Sequence, residues 1–281
     1  MTDRQPALSF GSDARAYDRG RPGYPAEAGQ WLTGGPGRSV LEVGAGTGKL
    51  TALLAGQGHD VHATDPDEAM LAVLAERLPD VRTSVAGAED LPVPDRSVDV
   101  VVCAQSFHWF DHERALPEIA RVLKSGGHLA LVWNYRDERI PWVRRLGALL
   151  GGTDSGDDPA GALKCSDLFG FVDGAEFRHW QDINRESIVD LAASRPSIST
   201  LDDDARAAKF AEILAFYEDF GRGMDGMQLP YVARCFRAQV IDRGIPGDEP
   251  SETTSADDDA SHFGPFTSDG TDTDMLLIDF R

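Results

Sequence analysis

The feature that most constrains the fold is a glycine-rich loop that joins an apolar segment to a helical pattern. Residues 40–43 (Val-Leu-Glu-Val) have the composition of a buried strand, and Gly44, Gly46 and Gly48 follow at alternate positions. Glycines let the chain turn sharply, and they let a ligand approach the backbone more closely than a Cβ would permit. The loop therefore predicts a strand–turn–helix unit with a ligand at the turn.

Short apolar segments alternate with helical patterns around this loop. Strands are predicted at residues 39–43, 60–64, 81–85, 98–104 and 128–133, and helices at 49–57, 67–78 and 113–123. This alternation is typical of parallel strands joined by crossover helices that cover both faces of a sheet. Asp67 is expected to cap the second helix, and Gly126 and Gly127 are expected to end the third. The sequence thus predicts a doubly wound, Rossmann-like α/β fold.

Two carboxylates accompany the glycine loop. Glu42 lies two residues before Gly44, and Asp65 ends the second predicted strand. In a doubly wound sheet, Asp65 would face the crevice at the carboxyl ends of the strands, where it can accept hydrogen bonds from both hydroxyls of a ribose. Glu42 would repel a pyrophosphate and attract a ligand with positive charge. The expected ligand is a nucleoside-containing cofactor that is cationic.

Two phosphate-binding motifs do not match the loop. The phosphate loop of nucleotide hydrolases would need a glycine in place of Val43 and a hydroxyl side chain in place of Leu50. The dinucleotide fingerprint G-x-G-x-x-G would need a glycine in place of Lys49. A nicotinamide-dependent oxidoreductase stays an alternative, although Glu42 and the missing glycine disfavour it.

Together the motifs resemble those of class I S-adenosylmethionine-dependent methyltransferases. Five segments carry the resemblance, in the order in which that family has them: residues 41–48, 63–70, 87–92, 97–102 and 121–127. The resemblance implies S-adenosylmethionine as the cofactor. It also implies a seven-stranded sheet that is mostly parallel, with an antiparallel last strand for which residues 229–240 are the candidate. A non-catalytic relative that binds the cofactor without turnover is a further alternative.

The resemblance also implies roles for individual residues. The cofactor site would be formed by Tyr17, Glu42, Gly44, Ala45, Gly46, Asp65, Ala88, Glu89 and Gln105. Asp65 would bind the ribose hydroxyls. Ala88 would meet the adenine through its backbone, and Glu89 would contact the adenine or brace its loop. Gln105 would contact the methionine end, and Tyr17 would lie over the cofactor.

An aromatic segment follows the fourth predicted strand. Residues 104–111 resemble the corresponding segment of small-molecule methyltransferases of the trans-aconitate type. His108 is the candidate general base, since imidazole titrates near neutral pH. Trp109 and Phe110 are candidate contacts for a small acceptor, and Arg21 would reach an acidic one. The alternatives are that His108 caps a helix, the two rings pack in the core and Arg21 is a surface charge.

Composition limits the partners of the chain. The sequence has 47 acidic and 27 basic residues and a formal net charge of -20, which disfavours nucleic acids and anionic membranes as partners. Its three cysteines are too far apart to indicate a disulfide framework or a metal site. No apolar run approaches the roughly 20 residues of a membrane helix, and the first residues lack the layout of a secretory signal. A cytoplasmic protein is predicted.

Three parts are expected along the chain. Residues 1–36 form a cofactor-covering segment and residues 37–241 a methyltransferase domain, in which about 151–222 shape the acceptor site. A strand is predicted at 176–181 and helices at 186–193 and 202–220. Residues 242–281 are rich in Asp, Ser, Thr and Gly, so they are expected to be an acidic, disordered tail. The acceptor and the oligomeric state are not specified by any motif.

Overall fold

The computed structural model describes residues 14–152, 158–220 and 226–242. The predicted tail lies, except for Asp242, outside these residues. In chain order the elements are α1 (Ala14–Gly20), α2 (Ala26–Thr33), β1 (Ser39–Val43), α3 (Lys49–Gly56), β2 (Asp60–Asp65), α4 (Glu68–Arg77), β3 (Arg82–Val85), β4 (Val98–Ala104), α5 (His112–Val122), β5 (Leu123–Arg136), α6 (Pro141–Leu149), α7 (Gly161–Lys164), β6 (Asp173–Ile183), α8 (Arg185–Ala193), α9 (Pro196–Ser199), α10 (Asp203–Phe220) and β7 (Met227–Gln239).

The seven strands form one sheet in the order β3-β2-β1-β4-β5-β7-β6. The strands from β3 to β5 pair in parallel, whereas β7 is antiparallel to both of its neighbours, β5 and β6. This confirms the predicted fold class and the antiparallel last strand. The strand order reverses between β1 and β4, so a crevice opens at the carboxyl ends of these two strands.

Side chains alternate between two apolar layers on the faces of the sheet. Val40 and Val102 pack on one face, in the layer that α2 and α3 help to form. Leu41, Val101 and Cys103 pack on the other, with α5. Because both faces are covered, the central strands β1 and β4 consist mostly of apolar residues, which explains why they could be recognised in the sequence.

Helix caps were predicted at the start of α4 and at the end of α5. The Asp67 Oδ1 accepts hydrogen bonds from the backbone N–H groups of Ala69 and Met70 at 2.9 and 3.3 Å, which confirms the N-cap of α4. The predicted glycine cap of α5 is wrong. Leu123 after α5 is already extended, with φ -72° and ψ 133°, so β5 begins at once and Gly126 and Gly127 lie within it.

The strands β5, β7 and β6 extend beyond the tips of β1 and β4. Ala104, the last residue of β4, pairs with Val132, and β5 continues for four more residues to Arg136. Arg136 pairs with Tyr231 of β7, which in turn pairs with His179 of β6. The helices α6, α8, α9 and α10 pack on this strand extension around a separate apolar cluster. The extension therefore carries a second apolar core beyond the tips of β1 and β4.

Candidate functional site

A cavity of about 550 Å³ opens at the carboxyl ends of the parallel strands. Its walls include eight of the predicted site residues: Gly44, Gly46, Asp65, Ala88, Glu89, Gln105, Trp109 and Phe110. A smaller cavity of about 60 Å³ shares part of this wall and adds three more: Arg21, Glu42 and Ala45. The structure thus brings together residues from five separate segments of the sequence.

Two glycines of the loop serve different purposes. Gly44 and Gly46 have φ angles of +73° and +56°, in the left-handed region that favours glycine. A Cβ at Gly44 would collide with the side chain of Ser106, which donates a hydrogen bond from its Oγ to the carbonyl of Val43 at 2.7 Å. A Cβ at Gly46 would have no atom within 4 Å. Gly44 is thus required for packing, whereas Gly46 keeps the space beside the loop open.

Asp65 is held rigidly at the end of β2. Its Oδ2 accepts a hydrogen bond from the backbone N–H of Gly46 at 2.8 Å, and its Oδ1 accepts one from Asp67 at 2.9 Å. Only 9% of the residue is exposed, and burial raises its pKa above the ordinary value while the two backbone hydrogen bonds oppose that shift. Each carboxylate oxygen keeps a second lone pair, so a pre-oriented acceptor of hydroxyl protons lines the cavity.

Glu42 is buried on the face of β1 that packs against α3. Its Oε2 accepts a hydrogen bond from the Thr51 hydroxyl at 2.6 Å, and its Oε1 has no hydrogen-bond partner among the described residues. Burial raises the pKa of Glu42 to about 8; the Thr51 hydrogen bond opposes this shift and the charge of Asp65 adds to it. Burial thus favours the neutral form of the carboxyl group, whereas the sequence analysis assumed a carboxylate that would attract a cationic ligand. The carboxyl group is mostly protonated at neutral pH in the cavity as it stands.

The structure shows the contacts of Glu89 and Gln105, which the sequence alone did not specify. The Oε1 of Glu89 accepts a hydrogen bond from the backbone N–H of Asp111 at 3.0 Å, so Glu89 braces its loop against the start of α5. Gln105 has a φ of +56°, which is rare for a residue with a side chain. Its backbone N–H donates to the Val132 carbonyl at 2.9 Å, and the residue lies between the two cavities. Such strain is typical of residues at functional sites.

Sequence comparison places the site in a known family. Residues 41–131 match the family described as "Methyltransferase domain". An uncharacterized methyltransferase of Mycobacterium tuberculosis is 42% identical over 240 residues, which cover 84% of this chain and 98% of that protein. The chain belongs to the class I S-adenosylmethionine-dependent methyltransferases. The alternative of a nicotinamide-dependent oxidoreductase is therefore wrong.

Two further proteins support the assignment of this methyltransferase. A second protein of Mycobacterium tuberculosis, named as an S-adenosylmethionine-dependent methyltransferase, is 43% identical over 93 residues, or 33% of this chain and 34% of that one. A solved structure from Anaeromyxobacter dehalogenans, described as a type II methyltransferase, has a TM-score of 0.58 and 26% identity and covers 78% of this chain and 97% of that chain. The cofactor of the methyltransferase is S-adenosylmethionine.

The residues at the cavity fit this cofactor. Asp65 offers acceptor lone pairs for ribose hydroxyls, and the space at Gly46 is open. The unpartnered, buried Oε1 of Glu42 lacks the donor that a buried carboxyl oxygen requires. An ammonium group is such a donor, and a cation beside Glu42 would also lower its pKa.

The aromatic segment of the methyltransferase divides between core and cavity. Residues 107–109 form one 3₁₀ turn, in which Phe107 is buried against Trp133. Trp109, 42% exposed, and Phe110 both line the main cavity. His108 between Phe107 and Trp109 is exposed and lines neither cavity. The structure does not bring the predicted base to the site.

Asp18 ties the N-terminal helix of the methyltransferase to the glycine loop. Its Oδ1 accepts hydrogen bonds from the Thr47 hydroxyl at 3.0 Å and from Arg77 at 2.6 Å, and it lies 3.6 Å from the Lys49 ammonium. On its other side α1 contacts α8 through an ion pair of Arg19 with Asp190 at 2.8 Å. Tyr17 lies in α1, but its side chain is outside what the structure describes. The helix connects the glycine loop to α8, which packs on the strand extension.

Ser106 and Arg114 are among the residues of the main cavity that were not predicted as site residues. Ser106 packs on Gly44, and Arg114 reaches the cavity from the first turn of α5. Arg114 lies outside the motifs and Ser106 lies within the segment 104–111, but the position of both at the cavity depends on where the chain turns after β4. Among the residues that the structure describes, no helix is long and apolar enough to cross a membrane. The same residues contain no group of three or more His, Cys, Asp or Glu side chains that would hold a metal ion.

Proposed function

We propose that this methyltransferase methylates a small molecule that enters the crevice beside Gln105, Trp109 and Phe110. The observation that carries the proposal is the shared cavity, because Asp65, where the ribose would bind, and the aromatic residues line the same cavity. Its volume of about 550 Å³ lies in the range that is usual for small-ligand sites. The glycine loop, the loop that carries Ala88 and the aromatic segment bound this cavity, which favours a compact acceptor over a macromolecule.

The cofactor would be held along the tips of the strands. Asp65 would bind the ribose hydroxyls, and the loop that carries Ala88 would contact the adenine. Glu42 would face the ammonium group of the cofactor, beside the space that the absent side chain of Gly46 leaves open. Gln105 would lie at the methionine end, where both cavities meet. These roles are supported by burial and by the hydrogen bonds that fix Asp65 and the loop.

Catalysis would depend on alignment. When bound, S-adenosylmethionine supplies a methyl group that its sulfonium makes electrophilic. The chain would orient the acceptor against that methyl group with Trp109, Phe110 and Gln105, and such positioning supplies much of the acceleration in displacement reactions. Residues 1–36 would cover the site and exclude water, and residues 151–222 would shape the acceptor pocket. His108 is not needed for an acceptor that ionises by itself, such as a carboxylate.

The test combines calorimetry with a turnover screen on the full chain. We expect titration with S-adenosylhomocysteine to show one site per chain. Incubation with methyl-labelled S-adenosylmethionine and a panel of small acids, phenols and amines should then label at least one of them. Pools of peptides and of RNA serve as controls. Binding of S-adenosylhomocysteine with label found only in a macromolecular pool would contradict the small-molecule assignment.

A further inference from the structure

The strand β6 forms one edge of the sheet and lies open to solvent. All of its residues pair with β7 in one continuous antiparallel register, and only the last of them, Ile183, is buried. Within residues 14–152, 158–220 and 226–242, no other strand pairs with the second side of β6. An unpaired edge presents a row of backbone N–H and C=O groups that can pair with a strand of another chain. The edge is therefore a candidate interaction surface.

The two edges of the sheet differ in how they are protected against such pairing. Proteins usually keep edge strands short or interrupt them with proline, lysine or a bulge. The edge strand β3 has four residues, whereas β6 has eleven. No proline or lysine occurs in β6, and its register with β7 contains no bulge. Because β6 lacks these protections, its exposed charges decide which strand it can pair with.

The charges of β6 are complementary to those of a second copy of the same strand. Glu176 and Arg178 are exposed and, being two residues apart, they lie on the same face of the sheet. If two copies of β6 pair in antiparallel fashion about a twofold axis at Phe177, each Glu176 lies opposite Arg178 of the other copy. Glu176 also pairs with Arg234 of β7 at 3.1 Å, but 62% of its side chain stays exposed. Two ion pairs can thus form across the axis.

Other registers of the same strand are less favourable. A shift of the axis by one residue puts two Glu176 side chains opposite each other in one direction and two Arg178 side chains in the other. Like charges that lie directly opposite are destabilising. An axis at Trp180 would pair Arg178 with Asp182, but it leaves residues 173–176 outside the paired region. The register about Phe177 joins residues 173–181 of both copies, so it combines the longer pairing with matched charges.

We propose that two copies of the methyltransferase associate through their β6 edges, so that the two sheets continue into one another across a twofold axis at Phe177. In this register Trp180, which is 61% exposed, lies opposite Gly174 of the second copy, where no side chain competes for the space. The net charge of -20 opposes association at long range, and salt screens that repulsion. The proposal is independent of the methyl acceptor and of the cofactor site.

The test is sedimentation of the full chain over a series of concentrations, in about 0.15 M salt so that the repulsion is screened. We expect a reversible dimer with a Kd in the micromolar range, as is usual for a small interface. Glu176→Arg and Arg178→Glu should each weaken the dimer about tenfold or more, because each places like charges opposite one another. The double variant with both substitutions should recover most of the affinity, since the ion pairs form again with their signs exchanged.

A control variant and a second measurement localise the interface. Arg82→Glu makes the same change of charge as Arg178→Glu on the other edge strand, β3, where the Arg82 side chain is 62% exposed. It should leave the dimer unchanged. Hydrogen exchange of the unaltered chain should be slower in residues 173–183 at high than at low protein concentration. A chain that stays monomeric at every concentration would overturn the proposal, as would a dimer that neither single variant weakens or a double variant as weak as the single ones.

Discussion

Replacement of Asp65 by alanine is expected to weaken binding of S-adenosylhomocysteine about 100-fold or more. The variant loses the acceptor for the ribose hydroxyls, and hydrogen bonds to a charged group contribute about 1.5–3 kcal/mol each. It also releases the backbone N–H groups of Gly46 and Asp67, which the carboxylate holds at 2.8 and 2.9 Å. Isothermal titration on the folded variant measures the change in Kd.

The matched control for this substitution is Asp60→Ala. Asp60 begins the strand that Asp65 ends, and it is an exposed residue paired with Arg82 at 3.2 Å. Exposed ion pairs contribute little to stability, so the control should bind as the unaltered chain does. An affinity of Asp65→Ala within a factor of two or so of that control would remove Asp65 from the ribose site.

The second large effect concerns stability and pH. The folded chain holds a proton on Glu42 up to a pH of about 8, whereas an unfolded chain releases it near the ordinary pKa of 4.5. The contribution of this proton to the free energy of unfolding is therefore fully present below pH 4.5, and it is lost as the pH rises through about 8. The loss is on the order of 3–5 kcal/mol in the cofactor-free protein. Glu42→Gln, which cannot ionise, should not show it.

Chemical denaturation near pH 5 and above pH 8 measures this difference. We expect the Glu42→Gln variant to gain stability over the unaltered chain as the pH rises, while Glu27→Gln, an exposed position on α2, follows the unaltered chain throughout. The same variant should bind S-adenosylhomocysteine more weakly, because it cannot supply a negative charge to the ammonium group. If the free energies of unfolding of Glu42→Gln and of the unaltered chain change with pH by the same amount, the buried carboxyl group is not protonated.

The parallel half of the fold could be predicted because its signals are local. Val40 to Val43, the three glycines and Asp65 lie within a single strand–helix–strand unit, and strands that are covered on both faces are mostly apolar. The extension of β5 to Arg136 could not be predicted in this way. It exists because β7, about a hundred residues later, pairs with it in antiparallel fashion from His128 to Arg136, and pairing at that distance leaves no local pattern.

The chemical state of the site was less predictable than its location. Glu42 was correctly placed beside the glycine loop, but its protonation depends on burial by α3 and on the Thr51 hydroxyl. His108 belongs to a segment that does reach the cavity, but the 3₁₀ turn directs Trp109 and Phe110 to the cavity and leaves His108 exposed to solvent. None of these properties has a signature in the order of the residues.

The most direct test of the account is a crystal structure of the full chain with S-adenosylhomocysteine. We expect both ribose hydroxyls within hydrogen-bonding distance of the Asp65 carboxylate and the ammonium group on the side of Glu42. The adenine should lie against the loop that carries Ala88. A nucleoside bound outside the crevice, with Asp65 contacted only by the N–H groups of Gly46 and Asp67, would contradict it.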